Sequence, residues 1–285
     1  MRGGESTVNR KSKSRLTNVS AHAVLLLASV FFITPFIWLV STSLKPSTQI
    51  FTWPPEWIPK PFTWKNYSDA IEYIPFFTYL KNTIVITVLS TAGAVLSCPL
   101  IAYSFAKLRW SGKKALFALT VAVMMIPGQV TMIPLFVLFN KLGWVGTPLP
   151  LIVPLFFGAP FFIFLLRQFF LGLPDELLDA ARIDGAHEFT IYWKVILPLA
   201  KPAVLSVALF QFMNSWTDFI GPLLYLTNEA SYTMSLGLQQ FQNQKGSEWG
   251  LMMAVATMMT VPVVILFFFT QKKFIQGITF SGIKG

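Results

Sequence analysis

The sequence predicts an all-α integral membrane protein with six transmembrane helices and a cytoplasmic helix-turn-helix between the fourth and fifth. The first observation is composition: 54% of the 285 residues are hydrophobic and 12% are charged, with a mean hydropathy of +0.60, too apolar for a soluble domain. The second is the length of the charge-free runs, because a spanning helix needs roughly 20 apolar residues. The third is a charged segment, 174–198, that separates two of those runs.

Six apolar runs supply the predicted spans, and they follow one another closely enough to form one membrane domain over residues 1–285. The run 202–217 extends to 228 and is interrupted only by Asp218. The other five runs are 16–44, 82–106, 115–140, 142–166 and 249–271.

The distribution of Lys and Arg predicts that both tails, 1–19 and 272–285, are cytoplasmic. With the N-terminus inside, cytoplasmic segments hold 16 of the 22 Lys and Arg residues, and positive residues favour the cytoplasmic side. The formal charge of +10 is then explained by topology rather than by nucleic-acid binding.

The first apolar run is predicted to be a retained span rather than a cleaved signal. It is longer than the roughly 7–15 residues of a signal's apolar region, and no small-residue cleavage site follows it. Cys98 is the single cysteine and lies within the second run, so the sequence contains no disulfide framework.

The outer loop, residues 45–81, is rich in Pro and Trp. Trp53, Trp57 and Trp64 are typical of the headgroup region, where Trp is enriched, and the prolines resist helix formation. The loop is therefore either part of an aromatic belt or a docking surface for an outer protein partner.

The third run contains Pro127, Gly128 and Gln129 near its middle. Proline removes a backbone hydrogen bond, and irregular backbone at membrane depth must be covered by protein or line a cavity. We therefore predict that this span is bent and lies in the interior.

The fifth span has a polar face. Gln211, Asn214, Ser215 and Asp218 fall at i, i+3, i+4 and i+7, which places them on one side of a helix. Two interpretations remain open, a translocation path or hydrogen bonding between helices. A charge at membrane depth is costly, so Asp218 should face the interior, a cavity or the outer interface.

The segment 174–198 predicts two short helices joined by a turn. Pro174 with the two acids after it is typical of a helix start, and Gly185 suits the left-handed turn that ends a helix. A second helix with aromatic residues at helical spacing ends at Pro198. Each arm is too short to be stable alone in water. Either it rests on the membrane surface, or its aromatic residues enter a groove on a soluble partner.

The same segment resembles the "EAA" motif of binding-protein-dependent ABC importer permeases, EAA-x3-G-x9-I-x-LP. The matching residues are Asp179, Ala180, Ala181, Gly185, Leu197 and Pro198, with Asp179 in place of Glu and Val195 in place of Ile. The stretch NSWTDFIGPLLYL and the tail FIQGITFSGIKG are similar to parts of the maltose-type carbohydrate permeases, so the resemblance covers nearly the whole chain.

The resemblance implies a function in ATP-driven sugar import. The motif helices, with Phe189 among them, would couple to a cytoplasmic ATPase, and the tail residues Lys284 and Gly285 would contact it. The expected partners are a second permease subunit in a heterodimer, two ATPase subunits and an extracytoplasmic solute-binding protein. The expected setting is a bacterial cell membrane, with lipid around the spans and an oligosaccharide moved by alternating access.

Chemistry within this chain is not expected. It contains no G-x4-G-K-[ST] phosphate loop, so ATP and Mg²⁺ would be held by the partner ATPase, with no cofactor or metal here. The two His residues are too few and too scattered for a metal or base site. Alternatives are import of another polar solute such as glycerol-phosphate, or a self-contained secondary carrier, although Asp218 is the one acid in a span that could serve ion coupling.

Overall fold

Helices account for nearly all of the regular structure in the computed structural model, which describes residues 5–243 and 246–279, with side chains over 20–242 and 248–271. The one exception is a hairpin of β1 (Gln242–Asn243) and β2 (Gly246–Ser247). The helices are α1 Glu5–Ser43, α2 Lys65–Tyr73, α3 Phe76–Lys107, α4 Lys113–Met124, α5 Gly128–Lys141, α6 Leu149–Ile152, α7 Pro160–Leu171, α8 Glu176–Ile183, α9 Glu188–Ile191, α10 Leu197–Leu199, α11 Lys201–Trp216, α12 Ile220–Tyr225, α13 Met234–Gly237 and α14 Trp249–Thr279.

Four of these segments are long and apolar enough to cross a membrane without a break. They are Ser20–Ser43, Phe76–Lys107, Leu149–Leu171 and Trp249–Gln271. Two further pairs pass the same test but are bent, α4 with α5 by 104° and Glu188–Leu199 with α11 by 78°. Four to six spans are therefore compatible with the described helices, as expected for an all-helical integral membrane protein.

The helix bounds differ from the apolar runs at several ends, and two of the helix starts have a local cause. The second span begins at Phe76 instead of residue 82, because Lys81 and Asn82 are tolerated in a helix whose first turns precede the apolar stretch. The fourth begins at Leu149 instead of residue 142, because Gly143 and Gly146 adopt left-handed conformations that a helix does not accommodate.

The chain divides into two compact units, Met1–Ala70 with Phe241–Met258, and Ile71–Gln240 with Met259–Gly285. In the first unit, polar contacts tie the end of α1 to the loop after it. The Asn66 amide donates to the carbonyls of Ser43 and Lys45 at 2.9 and 2.8 Å. The Lys45 side chain is fully buried, with its ammonium 3.8 Å from the ring centre of Trp38, and burial lowers its pKa.

The Trp residues of this loop differ in exposure. Trp57 packs edge-on against Trp38, with 5.2 Å between ring centres, whereas Trp53 is 90% exposed. Both interpretations of the loop remain open on this geometry, because an exposed Trp suits either a headgroup region or a protein partner.

In the second unit, α3 is the central helix and packs against α7 and α11. Small residues on α3 let these helices approach closely, and a Cβ added at Gly93 would lie 2.7 Å from the Phe156 ring. The buried core consists of Ala94, Cys98, Ala102, Tyr103, Phe105, Phe162, Ile163, Leu166, Phe170, Leu178, Ile191, Tyr192, Ile196, Ala200, Ala203 and Val207.

The bent pair α4 and α5 is largely exposed. Met125, Ile126 and Val130 around the break at Pro127 are exposed, and Phe139 is the one residue of α5 that is buried. The predicted bend is confirmed. The predicted interior position stays a prediction.

Candidate functional site

The first arm of the charged segment is fixed to the end of α3 by a lysine. Lys107, whose side chain is 4% exposed, donates to the Leu173 carbonyl at 2.7 Å and to the Asp175 carboxylate at 2.6 Å. Asp175 directly precedes α8, and this hydrogen bond with the lysine's charge lowers the pKa of its carboxyl. The predicted helix start is confirmed, since α8 begins at Glu176.

The turn after α8 is built around Gly185, which has a φ of +78°. The N–H of Gly185 donates to the Arg182 carbonyl, and that of Ala186 donates to the Ala181 carbonyl, both at 3.0 Å. These two bonds define a Schellman motif, in which a left-handed residue satisfies carbonyls left free at a helix end. The predicted left-handed glycine turn is confirmed.

The second arm runs from Glu188 to Leu199 and changes from α-helix to π-helix and back along its length. After α9, residues Tyr192–Ile196 form one π-helical turn, a feature common at functional sites. Pro198 lacks an N–H and its ring presses on the carbonyl of residue 194, which favours a widened turn at this point. We refer to Glu176–Leu199, both arms and the turn, as the helix pair.

The aromatic residues of the second arm do not share one environment. Tyr192 and Ile196 are buried in the core of the second unit, while Phe189 and Trp193 are 64% and 47% exposed. Phe189 and Trp193 line an apolar groove of about 860 Å³ whose other walls come from α3 and α11. The remaining lining residues are Val95, Leu96, Leu100, Tyr192, Leu197, Pro198, Lys201, Pro202, Val204 and Leu205.

Three apolar side chains of the helix pair are exposed. Leu177 and Ile183 of α8 are 42% and 87% exposed, and Phe189 in the second arm is 64% exposed. Asp179, Ala180 and Gly185 are exposed, and Ala181 is half-buried. We refer to Leu177, Ile183 and Phe189 as the apolar cap, because exposed apolar side chains outside the predicted spans suit contact with a partner protein or with the membrane surface.

Four polar residues hold the two arms together and attach them to α3. Arg182 donates to Asp179 on its own helix and to Glu188 across the turn, each at 2.9 Å. The Tyr103 hydroxyl of α3 donates to Glu188 at 2.7 Å. Hydrogen bonding to Glu188 is the main cause of a raised Arg182 pKa. We refer to these four residues as the Arg182 network.

The predicted polar face of the fifth span is divided between three environments. Gln211 is buried and donates to the Ser215 hydroxyl at 2.8 Å, and Ser215 is 2.7 Å from the Ser90 hydroxyl of α3. Asn214 is exposed. Within the part of the chain with described side chains, no partner for Asn214 is recorded.

Asp218 does not lie on this helix, so the expectation that it shares the face is wrong. Helix α11 ends at Trp216, and the Asp218 carboxylate accepts from the Gly221 N–H in the first turn of α12 at 3.1 Å. Asp favours such helix-starting positions because its short side chain satisfies a free backbone N–H.

Two predictions concern the tail and the absence of a metal site. The tail residues Lys284 and Gly285 lie outside the described residues. Among residues that the structure describes, no group of three or more His, Cys, Asp or Glu could hold a metal ion. The roles of Tyr103 and Lys107 were not predicted, because each contacts a residue more than 60 positions away. The acidic residues at the start of each arm, Asp175 and Glu188, were the only indication in the sequence that a polar partner was needed there.

Comparison with known proteins identifies a family whose profile matches this chain. The profile of the family described as "Binding-protein-dependent transport system inner membrane component" matches residues 98–280. The chain is 35% identical over 254 residues to the arabinooligosaccharides transport system permease protein AraQ of Halalkalibacterium halodurans, covering 88% of this chain and 91% of that one. It is 30% identical to the diacetylchitobiose uptake system permease protein DasC of Streptomyces coelicolor, covering 94% and 96%.

A solved structure shares the fold. It is that of a bacterial ABC transporter involved in the import of the acidic polysaccharide alginate, with a TM-score of 0.79 and 23% identity, covering 91% of this chain and 97% of the matched chain.

Proposed function

This chain belongs to the family of binding-protein-dependent transport system inner membrane components, and we propose that it is the permease subunit of an ATP-driven importer of oligosaccharides. It is a multi-pass membrane protein and not an enzyme. The cargo is inferred from relatives that transport arabinooligosaccharides and diacetylchitobiose and that match along about nine-tenths of this chain. The import system includes an ATPase and a substrate-binding protein.

The helix pair is the element through which ATP hydrolysis acts on this subunit. The observation that carries this assignment is the apolar cap, because Leu177, Ile183 and Phe189 are exposed beside a turn closed by backbone hydrogen bonds from Gly185 and Ala186. A helical surface of this kind fits a groove on a partner protein. ATP and Mg²⁺ are bound by the ATPase subunits, which the helix pair contacts from the cytoplasmic side.

A second permease subunit covers the break between α4 and α5. Residues around Pro127 are exposed in this chain, yet irregular backbone at membrane depth must be shielded by protein or line a water-filled cavity. A heterodimer with a central path meets both conditions. Counting α4 with α5 as one span and α11 as another, with Glu188–Leu199 outside the membrane, gives six spans, and both termini are cytoplasmic as the Lys and Arg distribution favours.

The translocation path follows the exposed side of α11. Asn214 is an exposed polar residue of that helix without a recorded partner in the described side chains, so its amide is available to sugar hydroxyls. Gln211 and Ser215 hold α11 against α3 through Ser90 and place Asn214 rather than contact the sugar. The Trp-rich outer loop faces the solute-binding protein.

Affinity purification of the tagged protein from its native membrane, followed by mass spectrometry, tests the proposal. We expect an ATPase and a second permease subunit to be recovered with it. The complex, reconstituted in liposomes with its binding protein, should import an oligosaccharide only when ATP is supplied. A protein that purifies alone and still moves solute without ATP would refute the proposal.

A further inference from the structure

The Arg182 network gives the helix pair a direct connection to a membrane-spanning helix. We propose that Tyr103, Glu188 and Arg182 are positioning residues that make α3 move with the helix pair, so that movement of an attached ATPase reaches the translocation path. This inference rests on the proposed function, since it specifies how the same helix pair acts on the spans.

The contacts join three elements through one carboxylate. Glu188 begins the second arm and accepts from Tyr103 of α3 at 2.7 Å and from Arg182 of the first arm at 2.9 Å. Arg182 also donates to Asp179 at 2.9 Å, which fixes the direction of its guanidinium. Both arms are thereby attached to each other and to α3.

The Tyr103 contact is the part of this network that is most shielded from solvent. Tyr103 is 3% exposed, whereas the side chains of Arg182 and Glu188 are 40% and 44% exposed. Exposed ion pairs contribute little to stability, so the two ion pairs of Arg182 add little to the free energy of folding. A hydrogen bond to a charged acceptor is stronger and more directional, and it resists the sliding that apolar contacts alone permit.

A second contact from the same part of α3 limits rotation. Lys107 lies one turn beyond Tyr103 on the same helix face and donates to Asp175 ahead of the first arm. Two attachments separated along α3, one to each arm, fix its orientation as well as its distance from the helix pair. A single attachment would allow α3 to swivel.

Helix α3 continues from these attachments to the polar face of α11. Ser90, which contacts Ser215, lies 13 residues before Tyr103, or roughly 20 Å at the rise of an α-helix. The helix continues over this distance with Pro99 inside it, so one backbone hydrogen bond is missing between the two contacts. Displacement of the helix pair is therefore carried by one helix to the residue that holds Ser215 and, with it, the neighbouring Asn214.

Replacement of one hydroxyl group tests the connection. Tyr103→Phe removes the donor and retains the buried ring. In the reconstituted complex with its ATPase and binding protein, the measured quantity is sugar imported per ATP hydrolysed. We expect this ratio to fall about tenfold, the lower end of what a hydrogen bond to a charged group is worth.

Tyr225→Phe, outside the helix pair, is the matched control. Tyr225 is 7% exposed, its ring lies 5.4 Å from that of Phe139, and its hydroxyl has no hydrogen bond recorded among the described side chains. The import ratio of this variant should equal that of the unmodified complex. In the double variant Tyr103→Phe with Glu188→Gln, the two effects should be less than additive because the residues share one contact.

The outcomes separate this inference from the proposed function. If the unmodified chain fails to assemble with an ATPase, the proposed function is refuted. If the complex assembles and Tyr103→Phe imports as much sugar per ATP as the unmodified chain, the proposed function stands and the inference is overturned. A Tyr103→Phe chain that does not accumulate would be replaced by Glu188→Gln, for which an unchanged ratio overturns the inference equally.

Discussion

Substitution of Gly185 tests whether the geometry of the turn matters for coupling. Its φ of +78° lies in the left-handed region, and an added Cβ would meet no atom within 4 Å. The cost of Gly185→Ala is therefore backbone strain without steric clash, about 1–2 kcal/mol for an L-residue in this conformation. That cost reduces the ratio of the correct turn to altered turns by roughly 5- to 30-fold, and Gly185→Val should exceed it because a β-branched residue is less tolerant of positive φ.

Gly143 offers a control with the same local structure. It has a φ of +70° and an open Cβ position, and the N–H groups of Gly143 and Trp144 donate to the carbonyls of Asn140 and Phe139 in the same Schellman pattern. It ends α5, on the side of the membrane that the predicted topology places outside. Gly143→Ala should cost as much strain without affecting the ATPase contact.

The assay is binding-protein-stimulated ATP hydrolysis and sugar uptake in proteoliposomes, normalised to the amount of permease in the membrane. We expect both quantities to fall in Gly185→Ala, by at most about 30-fold for a strain of about 2 kcal/mol, and to change little in Gly143→Ala. Normal uptake in Gly185→Ala and Gly185→Val, or equal losses in the Gly143 control, would show that the turn geometry is not what the ATPase requires.

Three further predictions concern the attachment of the helix pair, the C-terminal tail and the path. Lys107 holds the pKa of the Asp175 carboxyl below its usual 3.8, so the contact is present at higher pH and is lost only as the pH falls through the lowered pKa. Asp175→Asn should therefore reduce uptake by one constant factor between about pH 5 and 8. A ratio of variant to unmodified uptake that varies across this range would contradict the assignment. Removal of 276–285 should lower recovery of the ATPase on purification, and unchanged recovery and ATPase rate would exclude a contact there. Asn214→Ala should raise the KM for sugar uptake several-fold at a normal membrane level, whereas Ser215→Ala should leave KM unchanged and cost about 1–3 kcal/mol of stability by leaving Gln211 unsatisfied; the reverse pattern would place Ser215 on the path.

Hydropathy predicted the helical membrane fold but not where each helix begins and ends. The runs stop at charged residues, while the helices stop where the backbone cannot continue. Thus α3 extends six residues ahead of its run through Lys81, and α11 ends at Trp216 although the apolar pattern continues beyond it. The error at Asp218 has the same origin, because i+7 spacing places a residue on a helix face only if the helix reaches it.

The helix pair shows which parts of a site are visible in a sequence. The turn at Gly185 was predictable because its cause is local, a single residue that must adopt positive φ. The contact between Tyr103 and Glu188 was not predictable, because the residues are 85 positions apart and the sequence around either residue does not identify the other as its partner. The predicted aromatic face was likewise divided by packing, which buried Tyr192 and exposed Phe189.

This division accounts for how one short segment can serve two contacts. The charged groups Arg182 and Glu188 face each other and the end of α3, so the polar contacts of the helix pair are made largely within this chain. Its apolar side chains Leu177, Ile183 and Phe189 remain exposed. In the proposed complex, docking would depend on burial of the apolar cap, while rigidity would depend on directional hydrogen bonds. Exchanging the two would remove charged groups from water at every association, at a cost of several kcal/mol per ion unless each is well paired.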